Sequence, residues 1–245
     1  MQITPLGDNA LVLELGTVID ESTHRHVQTA WRALAAAPLP AVSEVVPAYT
    51  TVTVFYDPWA AVQAGAPAMG IADWLGGRLR ERLKNPPKME KTKPRVVEVP
   101  VCYGGEFGPD LARVAAQAKL PPEEVIKRHR EAEYLVHLIG FAPGFPYLGG
   151  LPKELRTLRH EKPRMKVPPG SVAIAGDQAG IYPLATPGGW NLIGRTPLRV
   201  FRPEQNPPVL LAAGDRVKFR AITAEEFGKL QAPAEKLQAP TSKLQ

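Results

Sequence analysis

The sequence predicts an α+β protein in which a small α/β domain is followed by a β-rich domain. Two observations lead to this class. Residues 1–90 alternate strand and helix patterns, whereas short extended runs separated by glycine and proline follow residue 152. Such runs are typical of a β-sandwich or a barrel. With 245 residues, 44% of them hydrophobic, the chain can bury a sizeable core as one large or two smaller domains.

The N-terminal domain is predicted to follow a β-α-β-β-α order. Residues 51–56 alternate valine with threonine, the pattern of a half-buried strand, and residues 10–15 form a second apolar strand after the turn-forming GDN. Between these strands Asp20 can cap a helix, which Pro38 ends. A later helix places its large apolar residues on one stripe: Ile71, Trp74, Leu75, Leu79 and Leu83.

Composition sets the expected domain boundaries. Residues 85–95 contain three prolines and four basic residues, which predicts an exposed linker. The expected domains are therefore residues 1–90 and residues 91–228. The last segment, residues 229–245, repeats K-L-Q-A-P at a seven-residue period. Because its two prolines interrupt a continuous helix, we expect a disordered tail there.

Several classes of protein are disfavoured by the sequence. No apolar run approaches the roughly 18 residues of a membrane span, and the N-terminus lacks the layout of a signal peptide, so a cytoplasmic protein is expected. The net charge of +6 is only partly clustered, which argues against nucleic-acid binding. The single cysteine, Cys102, lies in an apolar run that favours a buried structural thiol over a nucleophile.

The sequence contains neither the motif of a phosphate-binding loop nor the spacing of metal ligands. Gly144 and Gly149 have the separation of a P-loop, but Gly150 stands where lysine is required. The histidines are not paired at the spacing of zinc ligands, so neither a metal site nor a covalent cofactor is expected. His129 falls on the inner side of a predicted helix, where it either packs in the core or faces a pocket.

The segment GFAPGFPYLGGLP, residues 140–152, is the most unusual stretch of the chain. Its glycines and prolines predict a loop, yet Phe141, Phe145 and Tyr147 make that loop too apolar to project into water. Two interpretations remain open. The loop packs as a structural element, or it forms the wall of a pocket or of an interface with a partner protein.

A second glycine- and aromatic-rich segment, ATPGGWNLIGRTP, carries candidate ligand-binding residues. Gly188 and Gly189 allow close approach of the backbone to a ligand or another chain, and Trp190 offers a flat apolar wall. Arg195 could bind a carboxylate or phosphate through two hydrogen bonds, as could Arg164 in its proline-flanked segment. The alternative is a β-turn with a core tryptophan and solvated arginines.

Four segments together carry a family resemblance: residues 103–111, 140–152, 163–176 and 180–197. In this order they resemble the family of bacterial 5-oxoprolinase B subunits. The family is also labelled allophanate hydrolase subunit 1 and carboxyltransferase-domain subdomains C and D, and it includes an inhibitor of a sporulation histidine kinase. The resemblance implies that the second domain is a cyclophilin-like β-barrel.

The resemblance also implies a function and a set of site residues. Family members act with a related C subunit, plus a separate A subunit, to hydrolyse 5-oxo-L-proline to L-glutamate at the expense of ATP. His129 matches a family histidine and is the candidate for proton transfer. Ala179 replaces a small hydroxyl residue, which puts a hydrogen bond from that position in doubt. The residues implied to meet substrate or an anion are Arg164, Gln178, Gly188, Gly189, Trp190 and Arg195.

Other functions compete with this role as part of an enzyme. Because the family includes a kinase inhibitor, the chain could instead be a regulatory protein that binds a sensor histidine kinase. A carboxyltransferase or allophanate hydrolase component is a variant of the enzyme hypothesis. A prolyl isomerase is supported only by the barrel fold, and a fold does not by itself determine function.

Overall fold

The structure is a computed structural model that describes residues 1–84 and 94–235. Within these ranges the chain forms two compact units, residues 1–84 and residues 94–235. All but the last two residues of the predicted linker fall outside the described ranges, as do the last ten residues of the predicted tail. None of the helices in the described ranges combines the length and apolarity needed to cross a membrane.

The first unit is an antiparallel sheet with three helices. Its elements are β1 (Gln2–Pro5), β2 (Ala10–Glu14), α1 (Glu21–Ala36), β3 (Val42–Pro47), β4 (Thr51–Tyr56), α2 (Pro58–Gln63) and α3 (Ile71–Lys84). The strands lie in the order β1-β2-β4-β3, and each neighbouring pair is antiparallel. The predicted β-α-β-β-α order therefore lacks β1 and the short helix α2.

Local patterns explain how this unit forms. Val52 and Val54 alternate with threonines on β4, and both are fully buried. At the start of α1 the carboxylate of Asp20 accepts a hydrogen bond from the backbone nitrogen of Thr23 at 2.7 Å, the capping contact that the sequence predicts. The core joins residues of the sheet and of two helices: Leu11, Leu13, Val27, Ala30, Leu34, Val52, Val54, Tyr56, Leu75 and Leu79.

The second unit is built around a closed barrel. Its strands are β5 (Val96–Tyr103), β6 (Tyr134–Ile139), β7 (Pro146–Gly149), β8 (Arg164–Val167), β9 (Ser171–Ala175), β10 (Gln178–Ile181), β11 (Thr186–Gly188), β12 (Asn191–Arg195) and β13 (Arg216–Ala221). Its helices are α4 (Leu111–Ala118), α5 (Pro122–Glu131) and α6 (Ala224–Glu235), with a 3₁₀ turn at Lys153–Leu155.

The barrel strands follow the order β10-β7-β6-β13-β5-β12-β9, while β8 and β11 form a separate antiparallel pair. Strand β13 runs parallel to β5 and antiparallel to β6. The predicted α+β class and the barrel of the second domain are confirmed. Helix α6 extends to Glu235, so residues 229–235 of the segment predicted to be disordered are helical.

Candidate ligand site in the barrel domain

The segment 140–152 forms a tight turn that leads into β7. The backbone nitrogen of Gly140 donates to the carbonyl of Phe145 at 3.0 Å, which closes the turn. Gly144 has a φ of +83°, and a Cβ there would lie 2.9 Å from Cβ of Phe201, so glycine is required on both counts. Within the turn Phe145 is buried, whereas Phe141 is 64% exposed.

Phe145 is the centre of an aromatic cluster. Its ring contacts those of Tyr147, Tyr182 and Trp190 edge to face, with centroids 4.9, 5.2 and 5.5 Å away. Tyr147 and Trp190 also contact each other at 5.9 Å. Because such contacts fix ring orientations as well as burying area, the cluster forms a stiff apolar wall.

This wall borders an open cavity of about 310 Å³, here called the aromatic cavity. Pro163 and Pro187 add rigid apolar surface, and two cationic or titratable residues, Arg159 and His160, add polar groups. The structure therefore brings together six residues singled out from the sequence: Phe141, Phe145, Tyr147, Gly188, Gly189 and Trp190.

The two glycines of the lining have different roles. At Gly188 a Cβ would lie 2.8 Å from Cε1 and Cζ of Tyr182, so the missing side chain makes room for that buried ring. At Gly189 a Cβ would meet only ordinary contacts, the nearest being the carbonyl oxygen of His160 at 3.5 Å. The carbonyl of Gly189 accepts a hydrogen bond from the backbone nitrogen of His160 at 2.8 Å, which ties the two sides of the cavity together.

Arg159 provides the positive charge of the aromatic cavity. Its guanidinium carbon lies 5.7 Å from the ring centroid of Trp190, within the range of a cation–π contact. The side chain is exposed, and no carboxylate among the described residues pairs with it. Its guanidinium is therefore available to an anionic group of a ligand that lies against the aromatic wall.

His160 is held from behind by a buried carboxylate, Asp110. Oδ1 of Asp110 accepts a hydrogen bond from Nη2 of Arg164 at 2.7 Å and lies 3.2 Å from Nε2 of His160. Oδ2 accepts from the backbone nitrogen of Leu192 at 2.7 Å. Nη1 of Arg113 contacts Nδ1 of His160 and lies 3.4 Å from Nε2. The imidazole therefore lies between Arg113 and Asp110, which limits its orientation.

Four predicted site residues lie outside the lining of the aromatic cavity. Arg164 binds Asp110, Gln178 begins β10, and Arg195 lines a separate cavity described below. His129, on α5, is fully buried, and its Nδ1 lies 2.8 Å from the hydroxyl of Tyr103.

The interior position of His129 sets its protonation state. Burial lowers the pKa of His129 to about 3, so the ring is neutral at physiological pH. Its ring also stacks on that of Phe219, with centroids 4.5 Å apart. These contacts suit a packing role, and His129 is not among the residues that line the aromatic cavity.

Sequence reasoning missed five residues of the cavity, two prolines and three residues with polar groups: Arg159, His160, Tyr182, Pro163 and Pro187. The signal for the first two was the basic run of residues 156–166, in which Arg164 was singled out instead. Burial raises the pKa values of Tyr147 and Tyr182, so both hydroxyls stay protonated and can donate hydrogen bonds.

Within residues 1–84 and 94–235 there is no group of three or more His, Cys, Asp and Glu that could hold a metal ion.

Comparison with known proteins places the chain in a family. The family model for the carboxyltransferase domain, subdomain C and D, matches residues 1–211, and the chain belongs to this family. More narrowly, it belongs to the family of 5-oxoprolinase B subunits, which confirms the resemblance seen in the sequence. It is 47% identical to the B subunit of 5-oxoprolinase from Bacillus subtilis over 229 residues, 92% of this chain and 95% of that protein.

Other relatives agree with this assignment. The chain is 41% identical to the B subunit of 5-oxoprolinase from Escherichia coli O157:H7 over 215 residues, 87% of this chain and 93% of that protein. The crystal structure of TTHA0988 matches with a TM-score of 0.74 and 37% identity over 89% of this chain. The match covers only 40% of TTHA0988, so this chain corresponds to about two fifths of that larger protein.

Proposed function

We propose that the chain is one subunit of a 5-oxoprolinase complex, which hydrolyses 5-oxo-L-proline to L-glutamate with ATP, and that its aromatic cavity binds 5-oxoproline. The observation that carries this proposal is the 47% identity to a 5-oxoprolinase B subunit over 95% of that protein. The partners that the family resemblance implies are a related C subunit, which resembles this chain, and a separate A subunit.

The aromatic cavity suits this substrate in shape and charge. 5-Oxoproline is a small five-membered lactam that carries one carboxylate. Its ring can lie against the faces and edges presented by Phe145 and Trp190, while the carboxylate meets the exposed guanidinium of Arg159. The cavity volume of about 310 Å³ accommodates such a ring.

The chemistry explains why ATP is consumed. A lactam carbonyl is a poor electrophile, and transfer of a phosphoryl group to its oxygen creates a better leaving group before water attacks the carbon. Opening of the C–N bond then frees the amine and leaves a γ-carboxyl phosphate. A second water hydrolyses this acyl phosphate to glutamate and phosphate, so that 5-oxoproline, ATP and two waters give glutamate, ADP and phosphate. In this proposal the present chain binds and orients the lactam.

His160 completes the proposed arrangement at the rim. Asp110 lies 3.2 Å from its Nε2, and Arg113 contacts its Nδ1, so the imidazole acts as a fixed wall of the site. A proton-transfer role would require Arg113 to leave Nδ1. Histidine-kinase inhibition and a carboxyltransferase role stay predictions of the family resemblance.

Reconstitution tests this proposal. The chain is co-purified with the C subunit, mixed with the A subunit, ATP and 5-oxoproline, and glutamate is measured. We expect glutamate only when all three proteins and ATP are present. No glutamate from the complete mixture, or an equal rate without this chain, would contradict the proposed function.

A further inference from the structure

The barrel domain contains a second cavity, of about 360 Å³, here called the Arg195 cavity. Its residues do not overlap with those of the aromatic cavity. Its apolar lining is dominated by residues with few rotatable bonds: Pro169, Pro183, Pro197, Pro203, Leu184 and Phe201. Rigid walls lose little conformational entropy when a ligand binds, so this surface is prepared for an apolar body.

Arg195, the last residue of β12, is fixed in this cavity by two contacts. Its Nε donates a hydrogen bond to the carbonyl of Pro169 at 2.9 Å, and its guanidinium carbon lies 6.0 Å from the ring centroid of Phe227. In the part of the chain that the structure describes, neither Nη1 nor Nη2 has a hydrogen-bond partner. An arginine held by Nε presents an oriented pair of donors, the geometry that suits an oxyanion.

The charge of the cavity is one uncompensated positive charge. The second cation in its lining, Arg199, already donates from both terminal nitrogens to the carboxylate of Glu204, at 2.7 and 3.2 Å. Of the residues placed by the structure, no acidic one lines the cavity. A ligand with a single negative charge would therefore neutralise the site, whereas a doubly charged one would bring an excess charge beside apolar walls.

We propose that the Arg195 cavity binds a small monocarboxylate with an apolar ring. The carboxylate accepts hydrogen bonds from Nη1 and Nη2 of Arg195, and the ring lies against the proline walls and Phe201. This site is separate from the proposed 5-oxoproline site and does not depend on it.

Nuclear magnetic resonance of the ¹⁵N-labelled full chain tests the proposal, with benzoate as the probe. We expect benzoate to shift the amide signals of Leu184 and Thr196 and the Nε signal of Arg195, with saturation in the millimolar range. Benzamide, the neutral analogue, should cause no such shifts. In Arg195→Gln the dissociation constant for benzoate should rise at least tenfold, whereas the control Arg159→Gln, in the other cavity, should leave it unchanged.

A second variant keeps the test decisive if Arg195→Gln does not fold. Leu184 is 40% exposed, and Leu184→Glu places a negative charge at the cavity while leaving the contacts of Arg195 in place. It should abolish benzoate binding. Unchanged binding in either variant, or shifts confined to the aromatic cavity, would overturn the proposal. Tighter binding of the dianion phenyl phosphate than of benzoate would overturn the monocarboxylate class.

Discussion

Arg164 donates a hydrogen bond to Asp110 at 2.7 Å, joining β8 to the residue that precedes α4. The side chain of Asp110 is 7% exposed and that of Arg164 31% exposed, so this ion pair is largely shielded from water. Because Asp110 also lies 3.2 Å from Nε2 of His160, the pair supports one side of the aromatic cavity.

Removal of this arginine should therefore cost stability. We expect Arg164→Met to lower the free energy of unfolding in urea by about 3 kcal/mol, since it leaves a buried carboxylate short of its charged partner. The matched control is Arg156→Met, which breaks an exposed pair with Asp177 and should cost less than about 1 kcal/mol. Equal effects of the two substitutions would show that the pair with Asp110 is energetically no different from a surface pair.

The buried histidine predicts a pH dependence of stability. Burial lowers the pKa of His129 from 6.5 to about 3, so below pH 6.5 the unfolded chain takes up a proton that the folded chain does not. The stabilisation is fully present above pH 6.5 and is lost as the pH falls towards 3. We expect the wild type to lose about 2 kcal/mol more than His129→Phe between pH 6.5 and pH 4.5, measured by urea unfolding.

The same histidine can be observed directly. In the wild type, the imidazole signals of His129 should not change between pH 7.5 and pH 5 in a nuclear magnetic resonance titration. A midpoint near pH 6.5 would contradict the shielded position. An equal loss of unfolding free energy in the wild type and in His129→Phe would also contradict it.

The two glycines of the aromatic cavity should respond differently to an added methyl group. Gly188→Ala forces its Cβ against the buried ring of Tyr182 and should lower the unfolding free energy by about 2 kcal/mol, the usual cost of overpacking. Gly189→Ala meets only ordinary contacts and should cost less than about 1 kcal/mol. Urea unfolding measures both, and a reversed order would mean that the ring of Tyr182 moves without cost.

The proposed substrate site leads to a kinetic prediction. In the reconstituted complex Arg159→Gln should raise KM for 5-oxoproline at least tenfold with little change in kcat, because it removes a charge interaction made equally with substrate and transition state. The matched control, Arg156→Gln, lies three residues away and outside the lining, so its KM should equal that of the wild type. An unchanged KM in Arg159→Gln would exclude this residue from substrate binding.

Much of the fold could be predicted because its signals are local. The alternation of residues 51–56, the capping position of Asp20 and the short strands after residue 152 each predict an element without reference to distant residues. The extra strand β1 was missed because its four residues, largely exposed, carry no alternation of buried and polar positions.

The site depends more on distant contacts. Aromatic and glycine-rich motifs point to Phe145, Trp190 and their neighbours, and these residues do meet at one cavity. The sequence could not show which arginine is left without an ion pair and can meet a ligand. Arg164 pairs with Asp110, which lies 54 positions earlier in the chain. Arg159, five residues before Arg164, has no such partner among the described residues. Only the tertiary arrangement separates the two.

The parallel pairing of β5 with β13 has a consequence for the synthesis of the protein. Until Arg216–Ala221 leaves the ribosome, one edge of Val96–Tyr103 and one edge of Tyr134–Ile139 have no neighbouring strand. At ordinary translation rates the first of these edges is open for on the order of ten seconds. Open strand edges pair readily with other chains. The nascent barrel domain should therefore be a client of ribosome-associated chaperones until its last strand arrives.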